Sequence, residues 1–200
     1  HNDTVLALLH AESAKRRDFF AESDKGHIDF PRAKQGGLGG GFFAMFARSP
    51  NSQGLPDTRG SSTDTSGSGE IQFPETPSHN DALQSTVRAA SKLFQLETQS
   101  GGAIKIVRTA DELQSTLDAG KFAILLHIEG AEAIDEDLDA LHVFYQMGLR
   151  SLGLVWSRPN IFGHGVPFKF PGSPDIGPGL TDPGKALVKE CNQLGVIVDM

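Results

Sequence analysis

A histidine and an aspartate two residues apart put an imidazole nitrogen and a carboxylate oxygen on one face of a strand, where both can bind one divalent cation. The sequence holds three such pairs: His1-Asn2-Asp3, His27-Ile28-Asp29 and His79-Asn80-Asp81. With seven histidines and fifteen aspartates in 200 residues, about half a match is expected from composition alone. The pattern by itself therefore does not choose between the three, and context must. His79-Asn80-Asp81 sits at a helix start, where Asn or Asp is an ordinary cap. His27-Ile28-Asp29 lies in a charged connection before Pro31 and reads as surface. His1-Asn2-Asp3 precedes a helical pattern, so Asp3 reads either as a metal ligand or as the cap of that helix.

Glu129 is the strongest single residue. It ends the apolar run Ile124-Leu125-Leu126-His127-Ile128 and is followed by Gly130. A carboxylate just past the carboxyl end of a buried strand stands where barrel active sites form. Burying it without a partner is expensive, so a cation is expected beside it. The competing reading is a structural ion pair or a solvated loop carboxylate. His127 shares the strand face of Glu129 one layer deeper and reads as a hydrogen-bonded supporting histidine rather than a ligand. His164, in Phe162-Gly163-His164-Gly165, lies on a loop at the functional end and is a candidate substrate contact. Trp156 ends a strand and reads as core or as pocket wall. His10 and His142 fall on helical patterns and face solvent, and Cys191 reads as inert packing. Gly67-Ser68-Gly69 sits in a low-complexity loop, without the spacing or context of a serine hydrolase elbow. No phosphate-binding Walker loop, EF-hand loop or His-Glu-x-x-His motif occurs.

Alternating strand and helix patterns must position these groups. Val5, Leu8, Leu9, Phe19 and Phe20 recur at roughly helical spacing, which predicts a helix over 4–20. Gly36-Gly37-Leu38-Gly39-Gly40-Gly41 leads into a buried strand at Phe42–Phe46. These glycines read as allowing close packing or tight turns rather than cradling an anion. Ser, Thr, Gly, Pro and Asp dominate from Arg48 to Asn80, which predicts a mobile insertion. Helices are expected from Asp81, over 110–119 behind Thr109, over 135–147, and from Thr181-Asp182-Pro183 to Leu194, where Gly195 stops the last. Strands are expected over 103–107, 121–128 and 150–156, with a strand onset at 196–200. Continuous apolar runs fit strands covered on both faces, as in a parallel sheet. The glycine cluster precedes a strand rather than a helix, which argues against a doubly wound nucleotide fold. A (β/α)8 barrel, a TIM barrel, fits the order. Since a full barrel takes about 250 residues, this chain reads as part of a larger domain.

Composition narrows the function classes. Apolar residues make up 38% and charged residues 22%, enough for a packed core. The formal net charge of −7 argues against a general nucleic-acid binder or an electrostatic membrane binder. One cysteine excludes an intrachain disulfide framework and a Cys-rich zinc site. No apolar run approaches the ~18 residues of a transmembrane segment. The stretch that opens with His1-Asn2-Asp3 shows no signal-peptide pattern and is equally compatible with one already removed, which leaves the compartment open, a periplasmic or extracellular one included.

Taken together in order and spacing, several segments resemble the membrane dipeptidase (renal dipeptidase) family of the amidohydrolase superfamily. They are His1-Asn2-Asp3, Pro31-Arg32 before Gly36-Gly37-Leu38-Gly39-Gly40, and Ile128-Glu129-Gly130-Ala131. They continue with Phe144 through Leu154, Gly179 through Lys185, and Asn192 through Met200. The resemblance implies a (β/α)8 barrel, of which this chain is the N-terminal part, with two zinc ions. It implies His1 and Asp3 on one metal and Glu129 bridging both. It places two further histidine ligands, an acid/base aspartate and a substrate-binding arginine beyond Met200. The activity implied is hydrolysis of dipeptides by a metal-bridging hydroxide, a chemistry that two divalent ions support at neutral pH. Homodimerisation is implied as well. Trp156 stands where mammalian members carry a substrate-contacting histidine, and Val5-Leu6 replaces their Pro-Trp. The alternatives are hydrolysis of N-acyl amino acids or lactams on the same metals, and an inactive barrel used for binding.

Overall fold

The computed structural model describes residues 1–9, 16–50, 75–166, 173, 175 and 177–200. Most of the insertion expected at Arg48–Asn80 (residues 51–74) and His10 lie outside the described residues. Among the described residues, five strands carry the fold: β1 Gly40–Phe46, β2 Ile104–Ile106, β3 Phe122–Glu129, β4 Leu149–Gly153 and β5 Ile197–Asp199. All pairings between them are parallel. β1 pairs with Ala123–Glu129 along one edge of β3. The opposite edge is shared, by β2 against Phe122–Ile124 and by β4 against Leu126–Glu129. β5 continues the sheet beyond β4. Ahead of β1, Asn2 makes a parallel bridge to Phe43, so the first residues extend the sheet on the other side. This is the α/β fold expected, with parallel strands fitting the N-terminal part of a TIM barrel.

Helices connect the strands: α1 Thr4–Leu8, α2 Phe30–Gln35, α3 His79–Gln99, α4 Ala110–Asp118, α5 Asp139–Met147 and α6 Asp182–Leu194. The two faces of β1 and β3 divide cleanly. Phe43, Met45, Ile124, Leu126 and Ile128 are wholly buried on the face that belongs to the main core. Phe42, Ala44 and Phe46 pair with Leu125, His127 and Glu129 on the other face. At the amino end, Phe19, Phe30, Phe43 and Phe122 pack edge-on or tilted at about 6 Å between centroids.

Local chemistry explains the boundaries. Thr109 caps α4 through the Glu112 amide, and Thr181 caps α6 through the Gly184 amide, as expected. The helix expected over 4–20 ends at Leu8, and 16–20 is not helical. There the Asp18 carboxylate accepts the Phe20 amide, and a side chain bonding two residues ahead competes with helix. α3 starts two residues before Asp81, because Ser78 rather than the His79–Asp81 triplet is its cap. α5 starts late because the Asp135 carboxylate takes the Asp139 and Ala140 amides from outside the helix. β4 stops at Gly153, three residues short of Trp156, because the Leu154 carbonyl turns to the Ala131 amide and the Asn160 side chain. Among the described residues no helix is long and apolar enough to cross a membrane.

Candidate metal centre

Asn2 builds the first half of the site. Its amide donates to the Phe42 carbonyl at 3.0 Å and its carbonyl accepts from the Ala44 amide at 3.0 Å. Its side chain donates to the Phe42 carbonyl at 2.7 Å and accepts the Thr4 amide at 3.1 Å. Asn2 therefore does the capping that Asp3 was free to do, and the Asp3 side chain makes no cap hydrogen bond. With Asn2 clamped against β1, the flanking His1 and Asp3 side chains fall on the other face, by the alternation of extended chain.

β3 builds the second half. Its register places Glu129 in a row with Phe46 on one side and Gly153 on the other, and Gly153 is in turn paired with Asp199. His127 lies one row deeper, paired with Ser151. The consequence is convergence at the carboxyl ends of the strands. His1 Nε2 is 3.6 Å from Glu129 Oε1 and 3.7 Å from Asp199 Oδ2. Ligand atoms of His1, Asp3 and Glu129 lie within 4.8 Å of one another, and so do those of His1, His127 and Asp199. A cavity of about 440 Å³ opens here, lined by His1, Phe42, His127, Glu129, Ser151, Gly153, Val155, Ile197, Asp199 and Met200.

The electrostatics call for a cation. Burial, then the neighbouring carboxylates of Asp3 and Asp199, push the Glu129 carboxyl up to about 7. Burial likewise holds the His127 imidazole below its ordinary value, so its neutral form is favoured. Carboxylates crowded this closely are stabilised when a positive charge replaces the proton. One imidazole nitrogen with two carboxylate oxygens is a donor set that zinc accepts, so these residues fit the metal the family implies.

The remaining expectations divide. Trp156 lies beside the cavity rather than among its lining residues: its ring meets Phe46 at 5.0 Å, and the Arg158 guanidinium sits 5.4 Å from its centre. His164 is exposed on its loop and is absent from the cavity lining. Asp29, expected at the surface, is wholly buried. It caps α2 through the Arg32 amide and bonds the Arg32 side chain, and His27 beside it is exposed. Cys191 is buried as expected, its thiol pushed up to about 11 by burial and the adjacent Glu190.

Two features escaped the sequence reading. Asp199 ends the run Val196-Ile197-Val198, the same signal that singled out Glu129, but the run is short enough to pass for a bare strand onset. Arg158 is fully buried. Its Nε donates to Glu132 Oε1 at 2.8 Å, and its terminal nitrogens donate to the Ala47 carbonyl and, at 3.2 Å, to Ser49 Oγ. It thus ties the segments after β1, β3 and β4 together around the mouth of the site. Nothing in its spacing announces this, because all its partners are distant in sequence.

A parallel α/β sheet of this order, with a histidine–aspartate pair and a strand-end glutamate gathered at its carboxyl edge, fits the N-terminal part of a TIM barrel. The chain belongs to the membrane dipeptidase family (peptidase family M19), whose pattern matches residues 1–200. Among solved structures it is similar to a metallopeptidase from Rhodobacter sphaeroides, solved with a phosphinate mimic of the dipeptide L-Ala-D-Ala. The two share 44% identity and a TM-score of 0.88, over 100% of this chain and 56% of that one. It is also similar to a metallopeptidase named dipeptidase AC, at 44% identity and a TM-score of 0.86, over 100% of this chain and 55% of that one. A protein of Acinetobacter calcoaceticus from the PQQ-III 3′ region, itself uncharacterized, is 36% identical over 100% of this chain and 61% of its own length. The chain thus spans little more than half the length of these relatives.

Proposed function

We propose that the protein hydrolyses the peptide bond of dipeptides on a centre of two zinc ions, and that these 200 residues form part of its single barrel. The observation that carries this reading is the convergence of His1, Asp3 and Glu129, three ligand types from two distant segments, within 4.8 Å. His1 and Asp3 would hold one ion, and Glu129 would reach both. Zinc bound there would polarise the scissile carbonyl and make water nucleophilic near neutral pH.

The chain's own residues prepare that chemistry. Asn2 fixes the spacing of His1 and Asp3 by anchoring between them. Glu129 holds a proton near neutrality in the absence of a cation and must release it to become a ligand. Phe42 and Val155 give the cavity an apolar wall that limits water beside the polar cluster. Trp156 and His164 stand on loops at the same end as the site and would meet the parts of the substrate remote from the cleaved bond. The solved Rhodobacter relative was crystallised with a mimic of L-Ala-D-Ala, so that dipeptide belongs in the first substrate panel, beside N-acyl amino acids and lactams.

The test is metal analysis and turnover of the full-length protein and its Glu129→Gln variant. The wild type is expected to carry about two ions per chain and to prefer dipeptides. The variant is expected to lose at least one ion and to fall below detectable turnover. A variant that keeps both ions and its rate would overturn the assignment, and preference for N-acyl or lactam substrates would redirect it.

A further inference from the structure

His127 is built into the sheet as if for a task of its own. Its side chain is only 1% exposed. Nδ1 lies 2.9 Å from Ser151 Oγ on the neighbouring strand. Nε2 is buried without a hydrogen-bond partner, and faces Asp199 Oδ2 at 3.7 Å. The His127 ring stacks on His1, with centroids 4.7 Å apart and planes 16° from parallel, and Phe42 closes on it edge-on. The ring is therefore fixed in place with one unused nitrogen turned toward the cavity.

The stacking decides against a shared ion. An imidazole binds a metal through a lone pair in its own plane. Two rings lying face to face at this separation occupy two nearly parallel planes, and an ion in the plane of one lies well out of the plane of the other. The Ser151 contact fits either tautomer, and the charge of Asp199 selects between them. A proton on Nδ1, donated to Ser151, would leave the bare Nε2 lone pair against a carboxylate. A Ser151 hydroxyl that donates to Nδ1 puts the proton on Nε2, where it meets Asp199 attractively.

We propose that His127 is a positioning residue of the cation centre: carrying a proton on Nε2, it tethers the Asp199 carboxylate beside His1. The proposal rests on the cation-centre reading above and adds to it an anchored fourth acidic or imidazole element, Asp199. Ser151, His127 and Asp199 then form a chain of donors and acceptors from the interior of the sheet to the cavity. Asp199 Oδ2, 3.7 Å from His1 Nε2, contributes negative charge at the centre only as long as it is held there. The contact tightens into a hydrogen bond when the cavity is filled, as loose contacts in unliganded sites do.

The test uses the full-length protein with ¹⁵N-labelled histidine, and Co²⁺ as the probe ion. In the metal-free wild type, the His127 signals, assigned by their loss in His127→Gln, are expected to report the Nε2–H tautomer. Asp199→Ala should weaken that preference. Co²⁺ affinity, read by chelator competition and the visible absorption of the ion, should fall about ten- to a hundredfold in His127→Asn, which keeps a group at the Nδ1 position but has none at Nε2. His127→Gln, whose amide nitrogen reaches the Nε2 position, should recover most of the loss. The double variant His127→Asn with Asp199→Ala should bind no more weakly than Asp199→Ala alone. A proton on Nδ1 of His127, wild-type affinity in His127→Asn, or additive losses in the double variant would each overturn the proposal. Failure of the wild type to bind Co²⁺ would instead overturn the cation-centre reading, and the tautomer measured without metal would still judge the His127–Asp199 link.

Discussion

Residue types set which groups can do chemistry, but their neighbours decide which of them do. The three His-x-Asp pairs are chemically equivalent on paper, and the structure separates them by what each aspartate is given to bind. Asp29 is spent on a helix start: it accepts the Arg32 amide at 2.9 Å and the Ser23 amide at 3.2 Å, and pairs with the Arg32 guanidinium. Burial alone would raise its carboxyl, but these hydrogen bonds and the charge of Arg32 outweigh it and hold it below the usual carboxylate range. A lowered folded-state value means stability that is present above the ordinary carboxylate pKa and is lost as pH falls through the lowered one. Asp29→Ala should therefore cost about 1 kcal/mol or more at pH 7, the worth of a helix cap, and the difference from wild type should shrink toward pH 2. Urea melts at both pH values measure it. Arg158 and Glu132 make a sharper case, because both side chains are withdrawn from water, at 0% and 2% exposure. Arg158→Met should cost about 3–5 kcal/mol by leaving Glu132 buried without its partner, whereas Arg158→Met with Glu132→Leu should recover much of it. Equal destabilisation in the single and double variants would show that the pair supplies net stability rather than mutual compensation.

At the scale of elements, strand contacts rather than propensities fix the frame. Gly40 opens β1 hard against β3: a Cβ there would lie 2.3 Å from the Ala123 carbonyl oxygen. Gly195 ends α6 at φ 74° with open space around its missing side chain. Gly40→Ala should thus force the strands apart and cost about 2–3 kcal/mol, against about 1 kcal/mol for the backbone strain of Gly195→Ala. Thermal melts of the two variants rank them, and a Gly40→Ala protein as stable as Gly195→Ala would refute the close approach. The same contrast explains what was legible in the sequence. Strands β1 and β3 announced themselves as apolar runs because both faces are covered, and α4 and α6 because Thr109 and Thr181 are local caps. The ends of β4 and α5 were not legible, since they depend on Asn160, Ala131 and Asp135 meeting distant or non-helical backbone. The helix over-extended to Phe20 failed for a related reason. Phe19 and Phe20 kept helical spacing with Val5 and Leu8, but they are held by the aromatic cluster around Phe30 and not by a continuous helix.

For the whole molecule, the site is a junction between segments that are far apart in the chain. Glu129 was legible because one strand suffices to aim it. Local context set the other two pairs aside, but reading His1 and Asp3 as ligands rather than as a helix cap rested on resemblance, because it depends on Asn2 finding Phe42, forty residues on. Asp199 enters only when β5 pairs with β4. A junction of this kind would couple cation binding to folding. Residues 1–3 are held to β1 by Asn2 alone among the described backbone bridges, while their flanking side chains face β3 and β5 across the cavity. A cation shared by His1, Asp3 and Glu129 would fasten that segment to β3 and would neutralise the carboxylates of Asp3, Glu129 and Asp199, which otherwise repel one another. Ions that bind the folded chain and not the unfolded one stabilise it by mass action, about 4 kcal/mol at a thousandfold excess over the dissociation constant. Chelation of the full-length protein should therefore lower its Tm by several degrees, and Zn²⁺ should restore it in proportion to the logarithm of its concentration. In Glu129→Gln the metal-free Tm at pH 8 should match or exceed that of the wild type. The folded chain disfavours the ionised carboxylate, so the stability its proton confers is complete below the ordinary value and is lost as pH rises through about 7. A wild-type Tm indifferent to chelation would mean that these residues gain nothing from a cation, and the junction would then be a structural cluster instead of a metal centre.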